Sequence, residues 1–166
     1  MLTFQSSRLK LLKLSNTFKC STKSLLSTSS LCSKLCFIGG GKMAESILNA
    51  LTLKGLQDMN DVYVYDTNKS RLEFLKKEYK VKICNTVHQA SDNADIILWC
   101  VKPQNLKELS KELKNNNYIS KKSVVVSILA GTSMTTLENE LKTNQLIRTM
   151  PNTPAMVLLL SLSSFT

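Results

Sequence analysis

The chain has few of the residues from which metal and disulfide sites are built. One histidine and five cysteines occur among its 166 residues, and no two cysteines form a Cys-x-x-Cys pair. We therefore predict no metal site, and we expect reduced cysteines that behave as small apolar residues. The histidine, His88, lies in a polar stretch and is predicted to be solvated and not catalytic. No run of about 20 apolar residues is present, so we predict no membrane span.

Acidic residues are absent from the first 44 positions, whereas the whole chain has a net charge of +10. Residues 1–34 hold six of the 22 basic residues, so 16 basic residues face 12 acidic ones in the remainder, which is only mildly basic. Such a small excess does not indicate a nucleic-acid partner, and we predict none.

The acid-free segment 1–34 is rich in Ser, Thr, Leu and Lys. Leu11, Leu14 and Phe18 have the spacing of one helix face, with lysines between them. This composition predicts a disordered transit peptide and a mitochondrial location. A plastid-type organelle is an alternative address, and a cytoplasmic protein with an untargeted polar tail is another alternative.

A short apolar segment, Leu35–Ile38, runs into three glycines and then into a helix-forming stretch that begins Met43–Ala44–Glu45. The pattern is G-x-G-x-x-A. Gly39 can turn tightly off the strand, and Gly41 lets the backbone approach a pyrophosphate, while the helix offers unpaired N–H groups to the phosphates. The motif predicts a dinucleotide clamp, although a glycine turn between any strand and helix would also fit.

Strand-length apolar segments alternate with amphipathic segments from residue 35 to residue 148. The predicted strands are 35–38, 62–65, 81–83, 96–101, 124–128 and 146–148, and the predicted helices are 42–54, 69–79, 87–93, a segment after Pro103 to about 115, and 133–141. This order predicts an α/β fold, a Rossmann-like doubly wound, mostly parallel sheet with helices on both faces, over residues 35–155. Trp99 falls in the most uniformly apolar strand, so we expect it to pack in the core.

Asp66 stands at the end of the second strand, 22 residues beyond Ala44. An acid at this place binds the adenosine ribose hydroxyls in dinucleotide-binding proteins and favours NAD over NADP. A helix cap or turn residue is the alternative interpretation of Asp66. Lys69 and Arg71 point the other way, because cations here can accept the 2′-phosphate of NADP, or they are ordinary solvated helix charges.

Four segments resemble the successive motifs of pyrroline-5-carboxylate reductases, in the same order. They are Phe37–Glu45, Val101–Gln104, Ser127–Gly131 and Met150–Ala155. The resemblance covers about residues 35–157. It implies reduction of the small imine 1-pyrroline-5-carboxylate to proline with NADP or NAD as the cofactor.

The resemblance also implies the cofactor contacts. It places the pyrophosphate against the glycine loop, the ribose against the end of the second strand, and the nicotinamide against the ends of the fourth and fifth strands. The residues carried over are Ile38, Gly39, Gly40, Gly41, Lys42, Met43, Asp66, Asn68, Cys100, Val101, Lys102, Pro103, Ile128, Leu129 and Ala130. Lys102 is interpreted as shaping the loop under the nicotinamide, and the catalytic residues stay unknown.

In that family, a helical domain of about a hundred residues follows the Met-Pro-Asn-Thr-Pro-Ala motif and forms the dimer and much of the imine pocket. This sequence continues as an apolar tail, 156–166. The resemblance therefore implies that most of the oligomer interface is missing, and we expect nucleotide binding with poor catalysis by this chain alone. Alternatives are a non-enzymatic nucleotide- or partner-binding protein and another NADP-dependent oxidoreductase of the Rossmann type.

Overall fold

The computed structural model describes residues 32–114, 119–120 and 122–150. The predictions for residues 1–31, for 151–155 of the last motif and for the tail 156–166 lie outside the described residues.

Six short strands in the described part form one parallel sheet. They are β1 (Leu35–Ile38), β2 (Val62–Tyr65), β3 (Lys82–Cys84), β4 (Ile96–Trp99), β5 (Val124–Ser127) and β6 (Leu146–Arg148). The strand order is β3-β2-β1-β4-β5-β6, and all neighbours are parallel. Ile38 pairs with Tyr65 on one side and with Trp99 on the other, so three strands end level. The order reverses between β1 and β4, the position where open α/β sheets bind ligands.

Five α-helices join these strands in the described residues. They are α1 (Lys42–Lys54), α2 (Lys69–Tyr79), α3 (Val87–Ser91), α4 (Leu106–Lys114) and α5 (Met134–Leu141). Short 3₁₀ turns at Met59–Asp61 and Pro103–Asn105 precede β2 and α4. None of these helices is long and apolar enough to cross a bilayer.

Helices cover both faces of the sheet. Successive side chains of β1 point to opposite faces, so neighbouring residues of this strand pack in two different cores. Phe37 is fully buried with Leu48 of α1 and Leu75 of α2. Ile38 and Trp99 lie in a second core, to which α3, α4 and α5 contribute. The predicted fold class and the packing role of Trp99 are both confirmed.

Most predicted bounds hold to within two residues, and the differences have local causes. Gly55 ends α1 in the left-handed conformation, as its position predicts. The predicted strand 96–101 is two residues too long, because the chain leaves the sheet after Trp99 and enters the Pro103 turn. Cys100 and Val101 lie beyond the end of β4, where they line the crevice described below and pack against the two cores.

The described domain begins before β1. Gln57 is 5% exposed, and its side-chain amide donates to the carbonyl of Cys32 at 2.9 Å and accepts from the Cys32 N–H at 3.1 Å. The backbone N–H of Lys34 donates to Asp95 at 2.9 Å, and the Lys34 ammonium lies 4.2 Å from the centre of the Tyr63 ring. Residues 32–34 are thus bound to the folded unit, while the transit-peptide assignment of 1–34 stays a prediction.

Candidate nucleotide-binding site

A crevice of about 460 Å³ lies at the carboxyl ends of β1, β2 and β4. It is lined by Gly39, Gly41, Lys42, Tyr65, Asp66, Thr67, Asn68, Arg71, Cys100, Val101, Lys102, Asn105 and Leu109. Segments far apart in the chain therefore meet at the switch point of the sheet, the place between β1 and β4 where the strand order reverses. This is the location that the strand order predicts for a ligand.

Gly39 makes the turn off β1 in a conformation that side chains rarely adopt. Its φ is +102°, and its N–H donates to the carbonyl of Tyr65 at 2.8 Å. A Cβ at this position would lie 2.8 Å from the carbonyl carbon and oxygen of Cys100. The loop therefore needs glycine here for two independent reasons, backbone conformation and close approach of another strand end.

Gly41 is the N-cap of α1 and faces open space. No atom lies within 4 Å of where its Cβ would stand, and no side chain caps the helix. The first-turn N–H groups of a helix lack partners within the helix and carry its positive dipole end. The open position and the uncapped helix end fit the pyrophosphate of a dinucleotide, so Gly41, Lys42 and Met43 would hold that group.

Asp66 joins the glycine loop to the turn after β2. One carboxylate oxygen accepts from the N–H of Gly40 at 2.7 Å, and the other accepts from the N–H of Asn68 at 2.8 Å. Asn68 caps α2 by accepting from the N–H of Arg71 at 3.1 Å. The helix cap is therefore Asn68, while Asp66 is a turn residue and borders the crevice as well.

Arg71 reaches back from α2 to the same loop. Its Nε donates to the carbonyl of Gly40 at 2.6 Å, and a terminal nitrogen donates to Glu45 of α1 at 2.5 Å. The hydrogen bond from Arg71 lowers the pKa of Glu45, so this carboxylate is ionised near neutral pH. Both backbone groups of Gly40 are thus bound by side chains of the β2–α2 segment.

The end of β4 supplies the other wall. Cys100 is half-buried, and its N–H donates to the carbonyl of Ile38 at 2.8 Å. Burial raises the pKa of the Cys100 thiol to about 12, so the thiol stays protonated and is a poor nucleophile at neutral pH. Lys102 is exposed at the rim and its carbonyl accepts from the Asn105 N–H at 3.0 Å, which closes the Pro103 turn.

Eight of the fifteen residues predicted for the cofactor line this crevice: Gly39, Gly41, Lys42, Asp66, Asn68, Cys100, Val101 and Lys102. Ile38, at the end of β1, and Gly40, in the loop itself, are buried, and Met43 is half-buried in α1.

The segment after β5 is placed differently. Leu129 is 1% exposed and packs in the second core, whereas Ile128 is half-buried and Ala130 is exposed. Pro103 lines a neighbouring crevice of about 410 Å³ together with Gly131 and Thr132. The residues predicted for the nicotinamide side therefore do not all meet in one cavity of the described chain.

Four lining residues were missed by the sequence reasoning: Tyr65, Thr67, Asn105 and Leu109. Tyr65 and Thr67 flank Asp66, so the end of β2 was a sufficient signal for them. Asn105 and Leu109 are four residues apart, the spacing of one helix face, and that periodicity was also a usable signal. Among the described residues, no cluster of His, Cys, Asp or Glu is arranged to hold a metal ion.

Together, the fold, the glycine loop and the crevice define the nucleotide-binding domain of an oxidoreductase. The sequence profile of the family described as NADP oxidoreductase coenzyme F420-dependent matches residues 34–131, which is more than half of the chain. The chain belongs to this family. An NAD(P) cofactor, predicted from the glycine motif and Asp66, is confirmed at the level of the family.

Individual relatives show which kind of oxidoreductase the chain resembles. The pyrroline-5-carboxylate reductase of Synechocystis is 33% identical over 124 residues, covering 75% of this chain and 45% of the relative. The structure of the Coxiella burnetii enzyme of that name has a TM-score of 0.68 at 33% identity, covering 76% of this chain and 46% of the other. The resemblance to pyrroline-5-carboxylate reductases is therefore confirmed.

A more distant structure, a Plasmodium falciparum pyrroline carboxylate reductase with NADP bound, has a TM-score of 0.59 at 21% identity over 78% of this chain and 46% of that one, and it shows the shared fold. The chain spans about half the length of the curated relatives that it matches.

Proposed function

We propose that this chain supplies the NAD(P)H-binding part of a pyrroline-5-carboxylate reductase, which reduces 1-pyrroline-5-carboxylate to L-proline in proline biosynthesis. The observation that carries the proposal is the crevice at the switch point, where a glycine loop with an open Gly41 meets Asp66 and the end of β4. The motifs in these segments are those that resemble the reductase family.

The described residues support a binding role. Gly41 and the N-terminus of α1 would hold the pyrophosphate, and the β2 end with Asp66 and Asn68 would face the ribose. The bound nicotinamide supplies the hydride. Because hydride transfer requires donor and acceptor to be held a few ångströms apart, Cys100–Lys102 act by positioning the nicotinamide.

Titration of the full 166-residue chain with NADPH and NADH, followed by calorimetry, tests the binding step. We expect saturable binding of at least one dinucleotide and a weaker affinity in Gly41→Ala, whose methyl group would occupy the open position. Asn49→Ala, on an exposed position of the same helix, is the matched control and should bind like the wild type. No binding at millimolar dinucleotide would overturn the proposal.

Oxidation of NADPH in the presence of 1-pyrroline-5-carboxylate, followed by absorbance, tests the reaction. Proline formed in step with NADPH loss supports the reductase activity. Binding without turnover would instead support the non-enzymatic nucleotide-binding alternative for this chain. Turnover with a different imine or carbonyl substrate would support another NADP-dependent oxidoreductase.

We further propose that residues 1–34 direct the protein to mitochondria. Their acid-free, basic composition supports this address. A fluorescent protein fused behind residues 1–34 should reach mitochondria, and replacing Arg8, Lys10 and Lys13 by glutamine should abolish import. Fluorescence of the unmodified fusion in a plastid or in the cytosol would contradict the proposal.

A further inference from the structure

Arg71 is held by a carboxylate on α1 at the rim of the nucleotide crevice. We propose that Glu45 sets the preference of this site between NADPH and NADH by competing with the 2′-phosphate for Arg71. The proposal rests on the proposed function, since it concerns selectivity at the same cofactor site.

The Arg71 side chain is bound to the glycine loop. Its Nε donates to the carbonyl of Gly40, one terminal nitrogen lies 3.4 Å from the carbonyl oxygen of Gly41, and the same nitrogen reaches Glu45 at 2.5 Å. The Arg71 and Glu45 side chains are 20% and 22% exposed. The guanidinium is therefore fixed at the loop and not extended into solvent.

Glu45 has a second cation within reach, but that contact is weaker. The Lys42 ammonium lies 3.3 Å from the same carboxylate oxygen, yet its side chain is 88% exposed, so solvent screens the pair. Arg71 is thus the partner that Glu45 restrains, and Lys42 can stay with Glu45 when Arg71 is withdrawn.

The position of Arg71 in the crevice links this pair to cofactor choice. Arg71 lines the crevice beside Asp66, Thr67 and Asn68, at the strand end where the adenosine ribose binds in this fold. An arginine in this region accommodates a 2′-phosphate by bidentate, charge-assisted hydrogen bonds. A bidentate contact uses two guanidinium nitrogens, while Nε and one terminal nitrogen are already engaged, so a 2′-phosphate competes with Glu45 for the shared terminal nitrogen. NADPH binding therefore weakens that ion pair and NADH binding does not.

Asp66 binds the backbone of the two loops, whereas the ion-pair partner of Arg71 is Glu45. Both of its oxygens already accept backbone N–H groups, from Gly40 and from Asn68. Its negative charge opposes a 2′-phosphate in any case. The balance between the two cofactors therefore depends on how firmly Glu45 holds Arg71.

The test is the ratio of the dissociation constants for NADH and NADPH in the full chain, measured by calorimetry. In Glu45→Gln, this ratio should shift towards NADPH by about three- to tenfold, as expected for release of one partly buried ion pair. Adding Arg71→Gln should cancel the shift. Glu73→Gln, the same charge change on an exposed position of α2, is the control and should leave the ratio unchanged.

The outcomes separate this proposal from the proposed function. An unchanged ratio in Glu45→Gln, or a shift that persists when Arg71 is replaced, would overturn the role of Glu45 while the wild type still binds dinucleotide. No binding of either dinucleotide by the wild type would overturn both. Glu45→Asp, whose shorter side chain cannot reach Arg71 equally well, should shift the ratio in the same direction if Glu45→Gln does not fold.

Discussion

Replacing the first and the third glycine of the loop by alanine should separate folding from binding. Gly39 and Gly41 belong to one motif and lie two residues apart, but Gly39 is crowded by neighbouring backbone and Gly41 faces open space. A Cβ on Gly39 would lie 2.8 Å from backbone atoms of Cys100, whereas a Cβ on Gly41 has no neighbour within 4 Å.

The expected loss of stability in Gly39→Ala has two parts. A φ of +102° is strained for alanine, which costs about 1–3 kcal/mol. The contact with Cys100 cannot relax by a side-chain rotation because the neighbouring atoms are backbone, and overpacking of this kind costs about 1–3 kcal/mol. We expect a decrease of about 3 kcal/mol in the free energy of unfolding, or on the order of 10 °C in melting temperature.

Gly41→Ala should behave differently. Its φ of −67° suits alanine, and the added methyl group meets no protein atom, so the free energy of unfolding should change by less than about 1 kcal/mol. Dinucleotide affinity should nevertheless fall by at least about tenfold, because the methyl group stands where the pyrophosphate must approach the backbone.

Urea unfolding followed by circular dichroism measures the first quantity, and calorimetric titration with NADPH measures the second. A Gly39→Ala chain as stable as the wild type would refute the steric reasoning about β1 and Cys100. Equal losses of stability in the two variants would refute the distinction between a structural and a ligand-facing glycine.

Three further predictions concern particular side chains. Gln57→Leu should lower the free energy of unfolding by about 1–3 kcal/mol in urea titrations, because it leaves the Cys32 N–H and carbonyl without their partners, and an unchanged midpoint would contradict the anchoring role. Cys100 should be alkylated by iodoacetamide at least about a hundredfold more slowly in the folded chain than in urea, because burial raises its pKa to about 12, and peptide mass spectrometry reads the rate at this residue. Arg71 lowers the pKa of Glu45 below its ordinary value of 4.5, so the pair stabilises the fold fully above pH 4.5 and less as the pH falls further. The stability difference between wild type and Glu45→Gln should therefore shrink in acid, and a difference independent of pH would argue against the ion pair.

The fold was predictable because its signals are local. Gly55 stops α1, apolar runs of four residues mark β1, β2 and β4, and each signal acts within a few neighbouring residues. The ends of strands were less predictable, since Cys100 and Val101 are as apolar as the strand that they follow. Apolar side chains are required both in a central strand and at the wall of a crevice, and the sequence alone does not distinguish the two.

The contacts within the site could be predicted only in part, because they depend on how two segments about 30 residues apart approach each other. The sequence offered Asp66 as a ribose ligand or a turn residue, and Arg71 as a phosphate ligand or a solvated charge. In the structure, Asp66 is a turn residue that also holds the N–H of Gly40, and Arg71 holds the carbonyl of the same glycine. The segment expected to select the cofactor thus also fixes the shape of the loop that we propose as the phosphate-binding loop. A substitution at Asp66 or Arg71 will therefore change loop geometry and cofactor preference together, whereas Glu45 acts on Arg71 from outside the loop.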